Sequence, residues 1–198
     1  MDQLSGPSPA RQIDSGGSLT EVSPEDRKII GKQLGRAPRG LVEVSARCSY
    51  GYPVVIKTKP LIKKSEEDFE VFPTLYWLTG PKRKEEVAKI ESSGYIEQLE
   101  EELNSDKTLK EEYSKNETSY LEQQNKLLSR EEENFLKRKG ALGALNRGIG
   151  GIKSDEHIKC LHLHLAHQIA DENVIGSLLQ ERFSFDDCPP DNVICDQY

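Results

Sequence analysis

The stretch GLVEVSARCSYGYPVVIKT, residues 40–58, decides the fold class. Val42, Val44 and Ala46 fall on one side of an extended chain, which is the period of a half-buried strand. Ser49, Tyr50 and Gly51 make a turn, and 52–58 reads as the antiparallel partner strand. Outward from this hairpin, FPTLYWLT at 72–79 supplies a third strand by its aromatic content. Tyr76 and Trp77 then point to opposite faces, so one of them at most lines a cleft and the other is core. Upstream, SPEDRKIIGKQLG at 23–35 reads as a helix. Ser23 caps it, Pro24 suits its first position, Glu25 and Asp26 favour its positive end, and Gly35 closes it.

After Pro81 the pattern turns helical. Val87 and Ile90 with a stop at Ser93-Gly94 mark one helix, and Ile96, Leu99 and Leu103 a second. Residues 106–139 read as a long third, in which Leu109, Tyr113, Tyr120, Leu121, Leu127, Leu128 and Phe135 leave a thin apolar stripe among charges. A stripe so narrow suits a hairpin arm or a coiled-coil-like contact. The expected fold is therefore α+β: a small antiparallel sheet of about three strands packed with helices, plus a long helical arm over about 82–139. Residues 1–22, rich in Ser, Gly and Pro, read as a disordered tail, 23–182 as a single domain, and 183–198 as an irregular C-terminal tail.

Of the 198 residues, 35% are hydrophobic and 31% charged, enough for one core with part of the chain outside it. No apolar run reaches the length of a membrane span, and the N-terminus has no apolar segment between a basic start and a cleavage site. A soluble, cytoplasmic protein is expected, with its four cysteines free or metal-bound in a reducing compartment. The net charge of −7 is unevenly spread: residues 24–64 carry +7 and residues 65–198 carry −12. The basic lobe suits a phosphate or other anion, or else it packs against the acidic helices of its own chain. Nucleic acid is not an expected partner.

All four histidines and Cys160 lie in HIKCLHLHLAHQIA, residues 157–170, read as part of a helix restarting near Ser154. At about 100° per residue, His157, Cys160, His164 and His167 share one side, while His162 falls among the apolar residues as a core histidine. Cys160 and His164, spaced i and i+4, could hold a zinc or iron ion, with His167 and Cys48 as further candidate ligands and Cys188 or Cys195 in reserve. The same pair could instead form a catalytic thiol with its base, or the stripe could be a polar seam in a packed core. Just ahead, NRGIGGIKSD offers glycine-rich backbone with Arg147 and Lys153 as a candidate anion site. The plainer alternative is a flexible connector. Arg36 and Arg39 flank Pro38 in a rigid turn, suited to bidentate contact with a phosphate compound or to salt bridges with the acidic helices.

Several separate stretches carry a resemblance: LGRAPRG (34–40), RCSYGYP (47–53), FPTLYWLTGP (72–81), ESSGYIEQL (91–99), GIGGI (148–152) and IKCLHLHLAH (158–167). In order and spacing, over about 27–182, the chain resembles the bacterial family called domain of unknown function 501. The resemblance implies no particular reaction. The family's genes often stand beside exopolyphosphatase-like and division-associated genes, an association favouring phosphate-related or envelope-related work. Two functional expectations follow. One is a Cys/His metal or thiol site beside an anion-binding cleft built from Arg36, Arg39, Arg147 and Lys153. The other is a non-catalytic adaptor docking a protein partner through its acidic arm, residues 106–139.

Overall fold

The computed structural model describes residues 22–152 and 156–198. The expected N-terminal tail, Lys153 and the expected helix start near Ser154 fall outside the described residues, apart from Val22 at the tail's end. Helix α1 (Pro24–Leu34) begins where the Ser23 hydroxyl accepts the Asp26 N–H at 3.0 Å, and it ends at Gly35 with φ +69°. Strand β1 (Leu41–Arg47) pairs antiparallel with β2 (Pro53–Thr58), with register shifts that account for its imperfect alternation. A short hairpin follows, β3 (Leu61–Lys63) with β4 (Phe69–Val71), as a separate two-stranded sheet. Strand β5 (Tyr76–Leu78) then joins the other edge of β2, giving the order β1-β2-β5.

The third strand is shorter than the aromatic run that announces it because the run's beginning is held by a helix. Tyr120 Oη takes the Leu75 N–H at 2.6 Å and lies 3.1 Å from the Pro73 carbonyl, which also accepts from Gln124 Nε2 at 2.6 Å. Side chains alternate across the sheet as the pleat requires. Val55 and Tyr76 enter the main core, while Ile56 and Trp77 face Ile30 of α1 on the other side.

The helical half departs from the expected arm. Helices α2 (Pro81–Ser92) and α3 (Tyr95–Ser105) end and begin at Ser93-Gly94 as read. Residues 106–139, however, form two helices, α4 (Lys107–Lys126) and α5 (Arg130–Arg138). The break is a capping box: Ser129 accepts the Glu132 N–H, and the Glu132 carboxylate accepts the Ser129 N–H. The apolar stripe is not the seam of a projecting arm. Leu109, Tyr113 and Tyr120 lie in the main core, and Phe135 lies with Leu136, Leu145 and Leu61 in a smaller core of its own.

Helices α6 (Leu161–Ala170) and α7 (Val174–Arg182) complete the main core, α6 packing on β5 and crossing α7 closely at Gly176. A Cβ at Gly176 would lie 2.5 Å from the His164 carbonyl oxygen. The chain beyond α7 has one 3-10 turn, Ile194–Gln197, and runs back over α1 and the β1–β2 turn. Much of the basic lobe is neutralised internally: Arg47 grips Asp26 with two bonds of 2.9 Å, and Arg39 and Lys59 pair with Glu70 and Glu132. No helix among the described residues is long and apolar enough to cross a membrane.

Candidate functional site

The cysteine-histidine segment is assembled by two carboxylates from distant helices. Glu100 of α3 accepts the Ile158 N–H at 2.7 Å, and Glu91 at the end of α2 accepts the Leu161 N–H at 2.6 Å. The first free amide of α6 is thus satisfied by Glu91, where the helix dipole favours negative charge. The chain before it stays extended, and Cys160, with φ −150° and ψ 113°, is the N-cap of α6 rather than a residue within it. The one-sided stripe expected from helical spacing is therefore not formed. His157 is exposed beside Glu100, whereas His164 and His167 are buried in the core.

The turn into α6 puts Cys160 beside His162. His162 Nδ1 lies 3.9 Å from Cys160 Sγ and 3.1 Å from a Glu91 carboxylate oxygen, while His162 Nε2 lies 3.1 Å from the Lys84 carbonyl. A carbonyl only accepts, so Nε2 carries a hydrogen and Nδ1 faces the sulfur and the carboxylate. All three residues are half-buried, and one ligand atom from each lies within 4.8 Å of the others. Hydrogen bonding to the Cys160 sulfur raises the His162 pKa to about 9, with Glu91 adding to it and burial opposing it. In the metal-free protein His162 is therefore an imidazolium at neutral pH. Among the described residues this is the one group of three or more side chains spaced to hold an ion, and His164, His167 and Cys48 are not in it.

His164 and His167 belong to a polar seam. His164 Nδ1 lies 3.3 Å from Asn173 Oδ1, and Asn173 Nδ2 lies 3.2 Å from His167 Nδ1. The Asn173 oxygen accepts and its nitrogen donates, so His164 carries its hydrogen on Nδ1 and His167 on Nε2, directed toward Asp171 at 3.9 Å. Burial pushes their pKa values down to about 3 and about 4, keeping both rings neutral. They pack against Tyr113, Tyr76 and Tyr120.

Of the candidate anion ligands, Arg36, Arg39 and Arg147 fall within the described residues. Arg36 and Arg39 are exposed, lying over the rings of Trp77 at 5.7 Å and Phe72 at 5.5 Å, and Arg39 is already paired with Glu70. Arg147 is exposed, ahead of the glycine loop. That loop does cradle a carboxyl group, but it is the chain's own: Glu117 of α4 accepts the Ile149 N–H through both oxygens at 3.0 and 3.1 Å. A Cβ at Gly148 would come within 1.2 Å of a Glu117 oxygen, so the glycine makes room for this carboxylate. Burial raises the Glu117 pKa to about 7 against the lowering effect of the Ile149 amide.

Sequence reasoning missed Glu91 and placed His162 in the core. Only the ESSGYIEQL stretch gave Glu91 any prominence, and nothing in it indicates a partner about 70 residues away. No curated protein and no solved structure matches the chain. The stretch from β1 to the last turn of α7 contains Glu91, Cys160, His162 and every element that positions them. That same stretch, residues 44–181, matches the family model described as "Protein of unknown function (DUF501)", and the chain belongs to that family.

Proposed function

We propose that Glu91, Cys160 and His162 bind a zinc ion through three protein ligands, leaving one position open to water or to an anionic substrate group. The observation that carries the reading is the Lys84 carbonyl at His162 Nε2, because ligating histidines are typically oriented by such a partner on the other ring nitrogen. The spacing fits. With bonds of about 2.0–2.3 Å, tetrahedral ligand atoms stand about 3.3–3.6 Å apart, against 3.1 and 3.9 Å here from Nδ1 to carboxylate and sulfur. A sulfur, nitrogen and oxygen donor set suits zinc better than a hard cation, and favours it here over iron. Bound zinc would lower the pKa of a water in the open position and polarise a bound carbonyl or phosphoryl oxygen. The residues of this chain supply the anchoring: Lys84 orients the ring, and the Leu161 amide holds Glu91 in place.

Zinc must displace both the His162 proton and the Cys160 thiol proton, so affinity rises with pH over the range in which the two are lost. Protein prepared without chelator is expected to carry about one zinc at this site, lost in both Cys160→Ala and His162→Ala. Elemental analysis of the wild type alongside both variants tests this, and equal metal content in all three would overturn it.

A second reading rests on the imidazolium beside the sulfur: Cys160 as a nucleophilic thiol. Alkylation of Cys160 followed by peptide mass spectrometry separates the two. Labelling that speeds up only after chelation supports the metal, and fast labelling in both conditions supports the nucleophile. The adaptor reading has less to draw on, since Leu109, Tyr113, Tyr120 and Phe135 are used in the chain's own cores.

A further inference from the structure

The first turn of α2 runs against the usual preference for acid at a helix start. Gly80 has no side chain to cap it, the turn contains no acidic residue, and Lys82 and Arg83 add charge to the positive end of the helix dipole. Arg83 is only 18% exposed, and Asp187 is its one ion-pair partner among the described residues. The missing negative charge thus comes from the tail beyond α7. Arg83 Nη2 donates to one Asp187 oxygen at 3.2 Å, and the Ser49 N–H donates to the other at 3.1 Å. The β1–β2 turn supplies that amide: it is closed by the Cys48 N–H on the Tyr52 carbonyl at 3.0 Å and the Gly51 N–H on the Cys48 carbonyl at 2.9 Å, neither of which uses Ser49. Lys82 Nζ reaches the Asp186 carbonyl at 2.8 Å and Tyr50 Oη the Cys188 carbonyl at 2.9 Å, so the tail is held on both sides of Asp187 by groups of the same two elements. Ser49 and Arg83 lie within the residues 44–181 that match the family model, and Asp187 lies beyond them. The donors therefore belong to the family domain, and the acceptor belongs to the segment that follows it.

We propose that Ser49 and Arg83 form a binding site for a small oxyanion, the carboxylate or phosphate group of a ligand, and that Asp187 occupies this site as an internal stand-in. The site is separate from the Glu91–Cys160–His162 cluster and needs no metal. Without the Asp187 carboxylate, a largely buried guanidinium and a turn amide lose their acceptor, an unfavourable state that an anion from solution relieves. With it, an incoming anion competes against a tethered carboxylate whose effective concentration is on the order of millimolar. The stand-in can yield its place, because residues 184–193 contain no helix or strand to break and the Asp187 side chain is 32% exposed. A ligand that takes both donors therefore frees this part of the tail from the β1–β2 turn.

The test uses the full chain carrying Cys160→Ala, with chelator present, so that an anion on a metal in the first cluster is not mistaken for one here and the two proposals fail separately. This protein, with and without Asp187→Ala, is titrated with inorganic phosphate and with acetate at constant ionic strength, and binding is followed by calorimetry. Removal of the stand-in is expected to tighten binding of at least one probe about tenfold or more, at one site per chain. Adding Arg83→Ala should abolish the gain. A gain for phosphate alone identifies a phosphate-bearing ligand, and a gain for acetate alone a carboxylate. Equal affinity with and without Asp187, or a gain that survives Arg83→Ala, would overturn the proposal and leave an ordinary internal ion pair. If Asp187→Ala fails to fold, the chain with native Asp187 still decides the matter through Cys188, which is half-buried beside the stand-in. A saturating probe should speed alkylation of Cys188 severalfold as the tail is freed, and an unchanged rate would sink the idea.

Discussion

Glu117 shows how one side chain can set a pH dependence. Its carboxyl group lies over the Gly148 backbone, bonded to the Ile149 amide, and holds its proton up to about pH 7 instead of the usual 4.5. The folded state therefore binds more protons than the unfolded state between those values, and stability falls as pH rises through the window. The loss at pH 8 is on the order of 2 kcal/mol after discounting for the partly exposed group. Glu117→Gln keeps an acceptor for Ile149 without the charge. It is expected to melt higher than wild type at pH 8 and to flatten the decline between pH 5 and 8, with little difference at pH 4. Thermal melts across that range check this, and a parallel decline in wild type and variant would refute it. The GIGGI stretch was readable as an anion cradle, but its occupant was not, because Glu117 lies 32 positions upstream on a helix with no local mark of its role.

The elements divide by whether their causes are local. Helix α1 and the β1–β2 hairpin were legible because their signals, a cap, a glycine stop and a turn, act within a few residues. The β3–β4 hairpin was not, since three-residue strands around a charged loop show too little alternation to detect. The break at residue 129 was written in the sequence as Ser129 and Glu132, and charge on both sides hid it. Ser129→Ala removes the cap and is expected to cost about 1 kcal/mol, borne by α5 and the Leu61–Phe135–Leu136–Leu145 core. Denaturant unfolding followed at the whole-chain level measures the cost, and a change below a few tenths of a kcal/mol would mean the helix boundary does not depend on the box. The start of α6 had the least local cause of all. Spacing alone extends the helix back through Cys160, whereas Glu91 and Glu100 on the amides of Leu161 and Ile158, with Tyr113 and Asn104 on the carbonyls of His157 and Glu156, all arriving from other helices, hold that chain extended. The local sequence therefore suggested Cys160 with His164, and the tertiary contacts bring Cys160 to His162.

Beside the small cluster of Val22, Ile30 and Ile56, the molecule has two further, unequal cores. The main one joins β2, β5, α2, α3, α4, α6 and α7, while the smaller gathers four buried residues, Leu61 of β3, Phe135 and Leu136 of α5, and Leu145 beyond it. Amide hydrogen exchange is expected to open the β3–β4 and α5 region at lower free energy than β2 and α6, because local stability follows the extent of buried packing. Uniform protection across both would show one cooperative unit instead. The docking of the tail has a kinetic counterpart. Ser49, Tyr50 and Tyr52 are stitched to residues 138 to 144 positions further along. During synthesis the β1–β2 hairpin leaves the ribosome long before the segment that covers it exists, and at roughly 5–20 residues per second that interval is about 7–30 s. For that time the tail partners of Ser49, Tyr50 and Tyr52 are unmade, so the face of the turn that the tail covers stays open to water or to a chaperone until the chain is nearly finished.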